Sequence, residues 1–233
     1  MRCTICGSEQ FAQQPVLWPE LVSEWKLEPY EQRYIDEQQG LSCVSCGSNL
    51  RAITLAFAIL TAFRFSGTLL EWADASSLTM LEINEAYTLT PVFQKIHGHV
   101  LARYPEVDLH SLPYPDSSFD LIVHSDTLEH VADPVQALSE CRRVLKCSGY
   151  LAYTVPVIVG RMSRSRLGMP ASYHGSPDEK RPDHLVHTEF GADFWTYPMR
   201  AGFGHLELVT LCYPSSVALL ASARPIQSQR SSF

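Results

Sequence analysis

The chain has 233 residues, 45% of them hydrophobic and 18% charged, with a formal net charge of −7 and a pI of about 5.7. These values exclude general disorder and fit one sizeable domain with a small attachment. The acidic balance argues against a protein that grips nucleic acid through its phosphates.

The opening residues, MRCTICGSEQ, hold no apolar run and no small-residue cleavage site, so no signal peptide is expected. Tyr30 to Gln39 reads as a polar helix stopped by Gly40 at its C′ position. LRAITLAFAILTAFR is apolar nearly all round, which predicts a helix covered on more than one side. Its apolar stretch, Ala52 to Phe63, is too short to span a bilayer. From residue 79 onward, strand-like and helix-like runs alternate. Thr79–Ile83 is a short strand, Leu89–Ile96 a helix, His99–Ala102 a strand and Phe119–His124 a buried strand. Pro134–Leu145 has helical spacing, with Asp133 as its cap. Gly149–Val155 is a strand ended by Pro156, and Phe190–Ala201 a helix stopped by Gly202. His205–Leu211 and Val217–Ala223 close the fold as two strands. The alternation predicts an α/β protein with a parallel sheet covered on both faces. The expected divisions are residues 1–48, a helical connector over 49–78, the main domain over 79–223 and a tail over 224–233.

Four of the seven cysteines form two C-x-x-C pairs, Cys3/Cys6 and Cys43/Cys46, each followed by a glycine. Two such pairs supply the four thiolates of a closed tetrahedral metal site, and Zn2+ is the ion that chemistry favours. A closed site keeps no open position, so the zinc is expected to be structural. It would clamp a zone too small to build a core unaided. An odd cysteine count without a secretory segment fits reduced thiols and a cytoplasmic location. Cys141, Cys147 and Cys212 read as small packing residues.

The stretch Asp108 to Pro156 closely resembles the second half of class I S-adenosylmethionine-dependent methyltransferases of the small-molecule type, often called type 11. The family has an acidic residue, an "LPF-PD-SFD" run, a strand, "LEH", a helix ending "RVLKPGG" and a strand ending in proline. In this chain these are Asp108, Leu112-Pro113-Tyr114, Pro115-Asp116, Ser118-Phe119-Asp120, Leu128-Glu129-His130, Arg143-Val144-Leu145-Lys146, Gly149 and Pro156. The cysteine pairs and the later YHGSP resemble a subgroup linked to sugar and polysaccharide gene clusters.

The resemblance implies a doubly wound, seven-stranded Rossmann-like methyltransferase sheet that binds S-adenosyl-L-methionine beyond the carboxyl ends of its strands. By position, Glu82 would lie near the cofactor's amino group, and Asn84 and Ala86 would form the turn that approaches it. Asp108 would take the adenine amine from the end of a third strand, with Leu109 against the ring. His124, Ser125 and Asp126 would stand where donor meets acceptor. The first half departs from the family. No glycine remains in Leu81–Thr88, and Arg103-Tyr104-Pro105 stands where an acid is expected, with Glu106 the nearest carboxylate. The link from Tyr104 to Asp108 is too short for the usual helix, and Cys147-Ser148-Gly149 replaces the family's "PGG".

The acceptor is expected to be a small molecule, a hydroxyl or another nucleophile on a sugar, a nucleotide sugar or a related metabolite. His174, in YHGSP, is a candidate general base, and His130 and Asp126 are the other catalytic candidates. Arg161, Arg164 and Arg166 read either as a solvated loop or as a phosphate clamp. His184 and His187, near Glu189, raise the idea of a second metal without a supporting pair. Asp120 more readily supports the sheet edge than chemistry. Two other readings stay open: a non-catalytic scaffold that kept the sheet, with the cleft blocked by Tyr87 or Arg103, and an RNA methyltransferase.

Overall fold

The computed structural model describes residues 1–173 and 181–223. The N-terminal zone is built around two short strands, β1 (Phe11–Gln13) and β2 (Leu41–Cys43), paired antiparallel. Between them run α1 (Pro19–Glu24) and α2 (Pro29–Gly40). A reciprocal capping box, Glu28 with Glu31, starts α2. Gly40 was expected to end this helix in a left-handed conformation. It is instead the last helical residue, and its lack of a side chain serves close approach: a Cβ there would sit 1.8 Å from the Gln14 carbonyl oxygen.

Helix α3 (Leu50–Ala62) starts at Asn49, whose side chain accepts from the Ala52 amide at 3.0 Å. A capping box of Thr68 and Glu71 starts α4 (Leu69–Ala75). The sheet follows: β3 (Thr79–Ile83), β4 (Gly98–Ala102), β5 (Phe119–Ser125) and β6 (Leu145–Thr154). Between these strands lie α5 (Thr90–Phe93) and α6 (Pro134–Val144), the latter capped by Asp133. A small sheet of β7 (Val157–Ile158), β8 (Arg164–Ser165) and β9 (Thr188–Gly191) comes next, then α7 (Thr196–Arg200), β10 (His205–Leu211) and β11 (Ser216–Ser222).

The main sheet has the order β10-β11-β6-β5-β3-β4. Strands β4, β3, β5 and β6 are parallel, and β11 and β10 add antiparallel at one edge. Strand alternation sends side chains to two cores. Met80, Leu121, Val123 and Ala152 pack with α3 and α4, while Leu81, Ile122, Leu151 and Tyr153 pack with α6. The protein is therefore an α/β, Rossmann-like fold with both sheet faces covered. Asp120 accepts from the Thr79 amide at 2.9 Å and pairs with Lys146, a sheet-edge role as expected.

Among the described residues the sheet has six strands where the family resemblance implies seven. A parallel crossover takes a dozen or more residues, and residues 103–118 cannot hold two crossovers and a strand. The segment instead forms turns gripped by Arg143. Its guanidinium donates to the Leu112 and Tyr114 carbonyls and pairs with Asp116 and Glu140. Two expected helices also shrink. Where a helix was expected over 89–96, a 3₁₀ turn, Tyr87–Leu89, runs into the single-turn α5. Residues 188–191, partly within the helix expected over 190–201, form β9 because pairing with β7 and β8 overrides local propensity. Gly202 stops α7 at φ +88°, as expected. Cys141 is buried in the core, whereas Cys147 and Cys212, also expected to pack, are exposed.

Replacing Gly40 with alanine forces a Cβ against the β1–α2 junction. The expected outcome is a loss of about 1–3 kcal/mol, read from the urea midpoint. An unchanged midpoint would show that β1 can move away freely.

Candidate active site

A cavity of about 1080 Å³ opens at the carboxyl ends of β3, β5 and β6. Its floor comes from the strand ends and its roof from the N-terminal zone, including Leu17, Trp18, Leu21 and Trp25. In a doubly wound sheet this is where ligands bind.

The turn after β3 has no glycine, yet none of its side chains is left to fill the cleft. Asn84 adopts φ +54°, which asparagine tolerates. Its amide donates to the Ala102 carbonyl, and its side chain accepts from the Tyr104 amide at 3.0 Å. Glu85 pairs with Arg103. Ala86 is 2% exposed. Glu82 organises the turn from beneath. One carboxylate oxygen accepts from the Ala86 amide at 2.8 Å and from the Thr90 hydroxyl at 2.5 Å. The other oxygen meets His99 Nε2 at 2.7 Å. Glu82 is fully buried and stands outside the cavity wall, as does Ala86. Both were expected to touch the cofactor; they lie behind the turn after β3 and outside the cavity lining. Tyr87, expected to block the cleft in a scaffold relative, is 70% exposed and outside the wall.

Asp108 and Leu109 line the cavity, although Asp108 stands in a turn and not at the end of a third strand. The Asp133 amide donates to His110 Nε2 at 3.1 Å, so Nδ1 carries the ring proton and donates it to Asp108 at 2.8 Å. The His110 amide donates to the same carboxylate oxygen, and these hydrogen bonds hold the Asp108 pKa below its ordinary value.

At the end of β5, Ser125 shares a hydrogen bond with Thr154 at 2.9 Å. Asp126 takes φ +46° and pairs with Arg51, which enters from the first turn of α3. Glu129 lies in the same wall and is 1% exposed. Burial pushes its pKa up to about 8, against the opposing charge of Arg51. Burial in turn pulls Arg51 down to about 10, with Glu129 opposing. His130 donates from Nδ1 to the Leu185 carbonyl at 3.0 Å, which leaves Nε2 as the basic nitrogen, 3.6 Å from Glu129. Burial lowers the His130 pKa. Sequence reasoning missed Arg51; its signal was a lone charge in an otherwise apolar helix.

His124 does not reach the cavity. It is fully buried, stacked on Tyr153 with ring centroids 4.6 Å apart, and burial pushes its pKa down to about 3. Its neighbours are apolar because its side chain points to the α6 core layer, one residue out of phase with Ser125. His174 and the rest of YHGSP beyond Tyr173 lie outside the described residues. His184 and His187 line the cavity, and the His184 ring lies 6.3 Å from that of His130. Glu189, their suggested third ligand, is instead held by Arg164 and Arg166. Arg161 grips Glu31 and the Trp25 and Lys26 carbonyls. Arg166 also lies over the Trp25 ring. Arg161 and Arg166 thus join the N-terminal zone to the main domain, while the half-exposed Arg164 pairs only with Glu189; all three are committed to carboxylates rather than grouped as a phosphate clamp.

The four expected cysteines come together. Their sulfurs all lie within 4.8 Å of one another, with Cys3–Cys46 at 3.7 Å and Cys6–Cys43 at 3.6 Å. A tetrahedron with metal–sulfur bonds near 2.3 Å has edges of about 3.8 Å, so the donor set fits such an ion. The two knuckles are built alike. Cys3 and Cys43 amides donate to Ser8 and Ser48 carbonyls, and Gly7 and Gly47 amides donate to Cys3 and Cys43 carbonyls. Both glycines have positive φ, +83° and +72°.

Residues 43–153 match the family described as methyltransferase domain. That segment contains the turn after β3 together with Arg51, Asp108, Asp126, Glu129 and His130. A protein of Mycolicibacterium smegmatis named as a probable S-adenosylmethionine-dependent methyltransferase is 43% identical over 64 residues, 25% of this chain and 25% of that protein. A similarly named protein of Mycobacterium tuberculosis is 41% identical over 64 residues, 25% of this chain and 23% of its own. The chain spans about a quarter of the length of these curated relatives. Among solved structures, an S-adenosylmethionine-dependent methyltransferase of Mesorhizobium loti aligns over 66% of this chain and 94% of that one, at 15% identity and a TM-score of 0.38.

Because Glu129 holds its proton in the fold to about pH 8 and loses it near 4.5 when unfolded, it removes stability as pH rises between those values. Glu129→Gln is therefore expected to raise the melting temperature at pH 8 relative to the parent chain and to change it little at pH 4.5. A gain that is equal at both pH values would contradict the raised pKa.

Proposed function

We propose that the protein is an S-adenosylmethionine-dependent methyltransferase that acts on a small-molecule acceptor. The observation that carries this reading is the open cavity at the strand ends, bounded by the Asn84–Ala86 turn and by Asp108, inside a segment matching the methyltransferase domain family. Asn84, Asp108, Leu109 and Ser125 would hold the cofactor. When bound, it supplies a methyl group already activated on a sulfonium, so the protein's work is alignment and proton removal.

His130 is the residue placed for the proton. Its Nδ1–H is committed to the Leu185 carbonyl, so Nε2 is the nitrogen that accepts the acceptor's hydroxyl proton. Its lowered pKa keeps the ring neutral at neutral pH. Asp126 serves differently. Paired with Arg51, it is committed to the cavity wall and would position that wall rather than act as a base. The roof residues Trp18, Leu21 and Trp25 exclude water from this end of the cavity.

The acceptor is a small molecule. A nucleotide sugar draws little support, because Arg51, Arg103 and Arg181, the cavity's arginines among the described residues, each pair with a carboxylate. The same pairing, with the net charge of −7, weighs against RNA. No helix among the described residues is long and apolar enough to cross a membrane. The four thiolates would hold one structural Zn2+, which requires reduced cysteines and so fits the cytoplasm.

Calorimetry with S-adenosylhomocysteine is expected to give saturable one-to-one binding, and no heat at millimolar ligand would end the enzymatic reading. With any acceptor that turns over, His130→Asn keeps a donor toward Leu185 and removes the base. It is expected to lower kcat by about a hundredfold or more with product binding intact. The parent rate should fall in acid only below the ordinary histidine value of 6.5. Metal analysis of the purified protein should find one zinc per chain, lost on Cys43→Ser; a metal-free, fully folded protein would remove the zinc assignment.

A further inference from the structure

We propose that Ser48 is a positioning residue that couples the second cysteine knuckle to the cofactor turn through Thr88; this rests on the methyltransferase reading above. The knuckle runs Cys43 to Ser48, and the Ser48 carbonyl closes it by accepting from the Cys43 amide at 2.9 Å. The Ser48 side chain is fully buried and faces away from any solvent partner. Its hydroxyl donates to Thr88 Oγ1 at 2.8 Å and lies 3.3 Å from Cys46 Sγ. Thr88 sits in the 3₁₀ turn directly after Asn84–Ala86, and that turn is closed by the Leu89 amide donating to the Ala86 carbonyl. The cofactor turn is thus held from two directions, by Glu82 beneath and by the knuckle from the side.

Such a second hold matters in this chain. A turn of Asn84, Glu85 and Ala86 has less room for error than a glycine turn, because every Cβ narrows the allowed backbone and the approach of a ligand. The knuckle also sets the start of α3. Asn49 follows Ser48 and caps the helix, and Arg51, two residues on, meets Asp126 across the cavity wall. The first knuckle grips the same helix, with the Thr4 hydroxyl donating to the Ile53 carbonyl at 2.7 Å. Closing the thiolate cluster therefore fixes two parts of the cavity at once: the turn on one side and Arg51 on the other.

A hydroxyl bridge and mere packing predict opposite results at Thr88. Thr88→Val keeps the shape and deletes the hydroxyl; Thr88→Ser keeps the hydroxyl and deletes a methyl. Calorimetry with S-adenosylhomocysteine on full-length, zinc-loaded protein is expected to show Thr88→Val and Ser48→Ala each binding about three- to tenfold more weakly. Thr88→Ser should match the parent, and the Ser48→Ala/Thr88→Val pair should lose no more than either single change. Zinc content, measured alongside, should stay at the parent value for all four. Parent-like affinity in Thr88→Val and Ser48→Ala, with zinc retained, overturns the coupling and leaves the methyltransferase reading standing. Weaker binding in Thr88→Ser but not in Thr88→Val overturns it in favour of packing. A parent protein that binds no S-adenosylhomocysteine overturns both.

Discussion

A carboxylate with no exposed surface sits beneath the turn that follows β3, and it meets three partners at once. Glu82 accepts from a turn amide and a threonine hydroxyl on one oxygen, and meets a histidine ring on the other. A buried polar group is tolerated only when its hydrogen-bonding positions are filled, and here they are filled by the Ala86 amide, the Thr90 hydroxyl and the His99 ring. The rest of the site follows from this hold. Asn84 can keep its left-handed backbone, its side chain can reach over to the Tyr104 amide, and the cleft between β3 and β5 stays open. The fold's usual solution is to remove side chains with glycine. This chain keeps the side chains and ties each one elsewhere.

The N-terminal zone is joined to the main domain by charge and aromatic contact as well as by an apolar cluster of Trp25, Leu27, Ile158 and Val186. Arg161 forks onto Glu31, which is 1% exposed, and Arg166 lies between the Trp25 ring and Glu189. The Trp25 indole donates to Ser172 at 2.9 Å. Arginine suits such a joint, because its planar fork meets carboxylate and ring geometry that lysine cannot match. The same joint builds the cavity roof, so this end of the cavity exists only when the zone is docked. Arg161 and Arg166, which look in sequence like a grip for phosphate, are in fact the rivets of this roof.

Much of the fold was legible in the sequence because it depends on local pattern. The runs 79–83 and 205–211 are strands to the residue, and α6 follows its apolar spacing and its Asp133 cap. The cysteine pairs were legible because metal-ligand spacing is a local property. What failed depends on facts the sequence does not carry locally. Residues 188–191 pair as a strand with partners about thirty residues upstream. The missing third strand is a matter of chain length between β4 and β5, which outweighs a motif match. In the site, period-two alternation decides that Ser125 faces the cavity wall while His124 is buried against Tyr153. Arg51 was invisible as a site residue because it lies some seventy-five positions from its partner Asp126 and belongs to a helix that reads as pure core.

The loss of the third strand has one further effect, at the far side of the sheet. It leaves β4 as a margin with no neighbour among the described residues, and so with a row of backbone amides and carbonyls facing outward. Long, flat margins of this kind invite templated growth with other chains. Here the strand is only five residues long, begins at a glycine and runs into Pro105, which has no amide to offer. Brevity and a nearby proline therefore do the guarding that an extra strand does elsewhere.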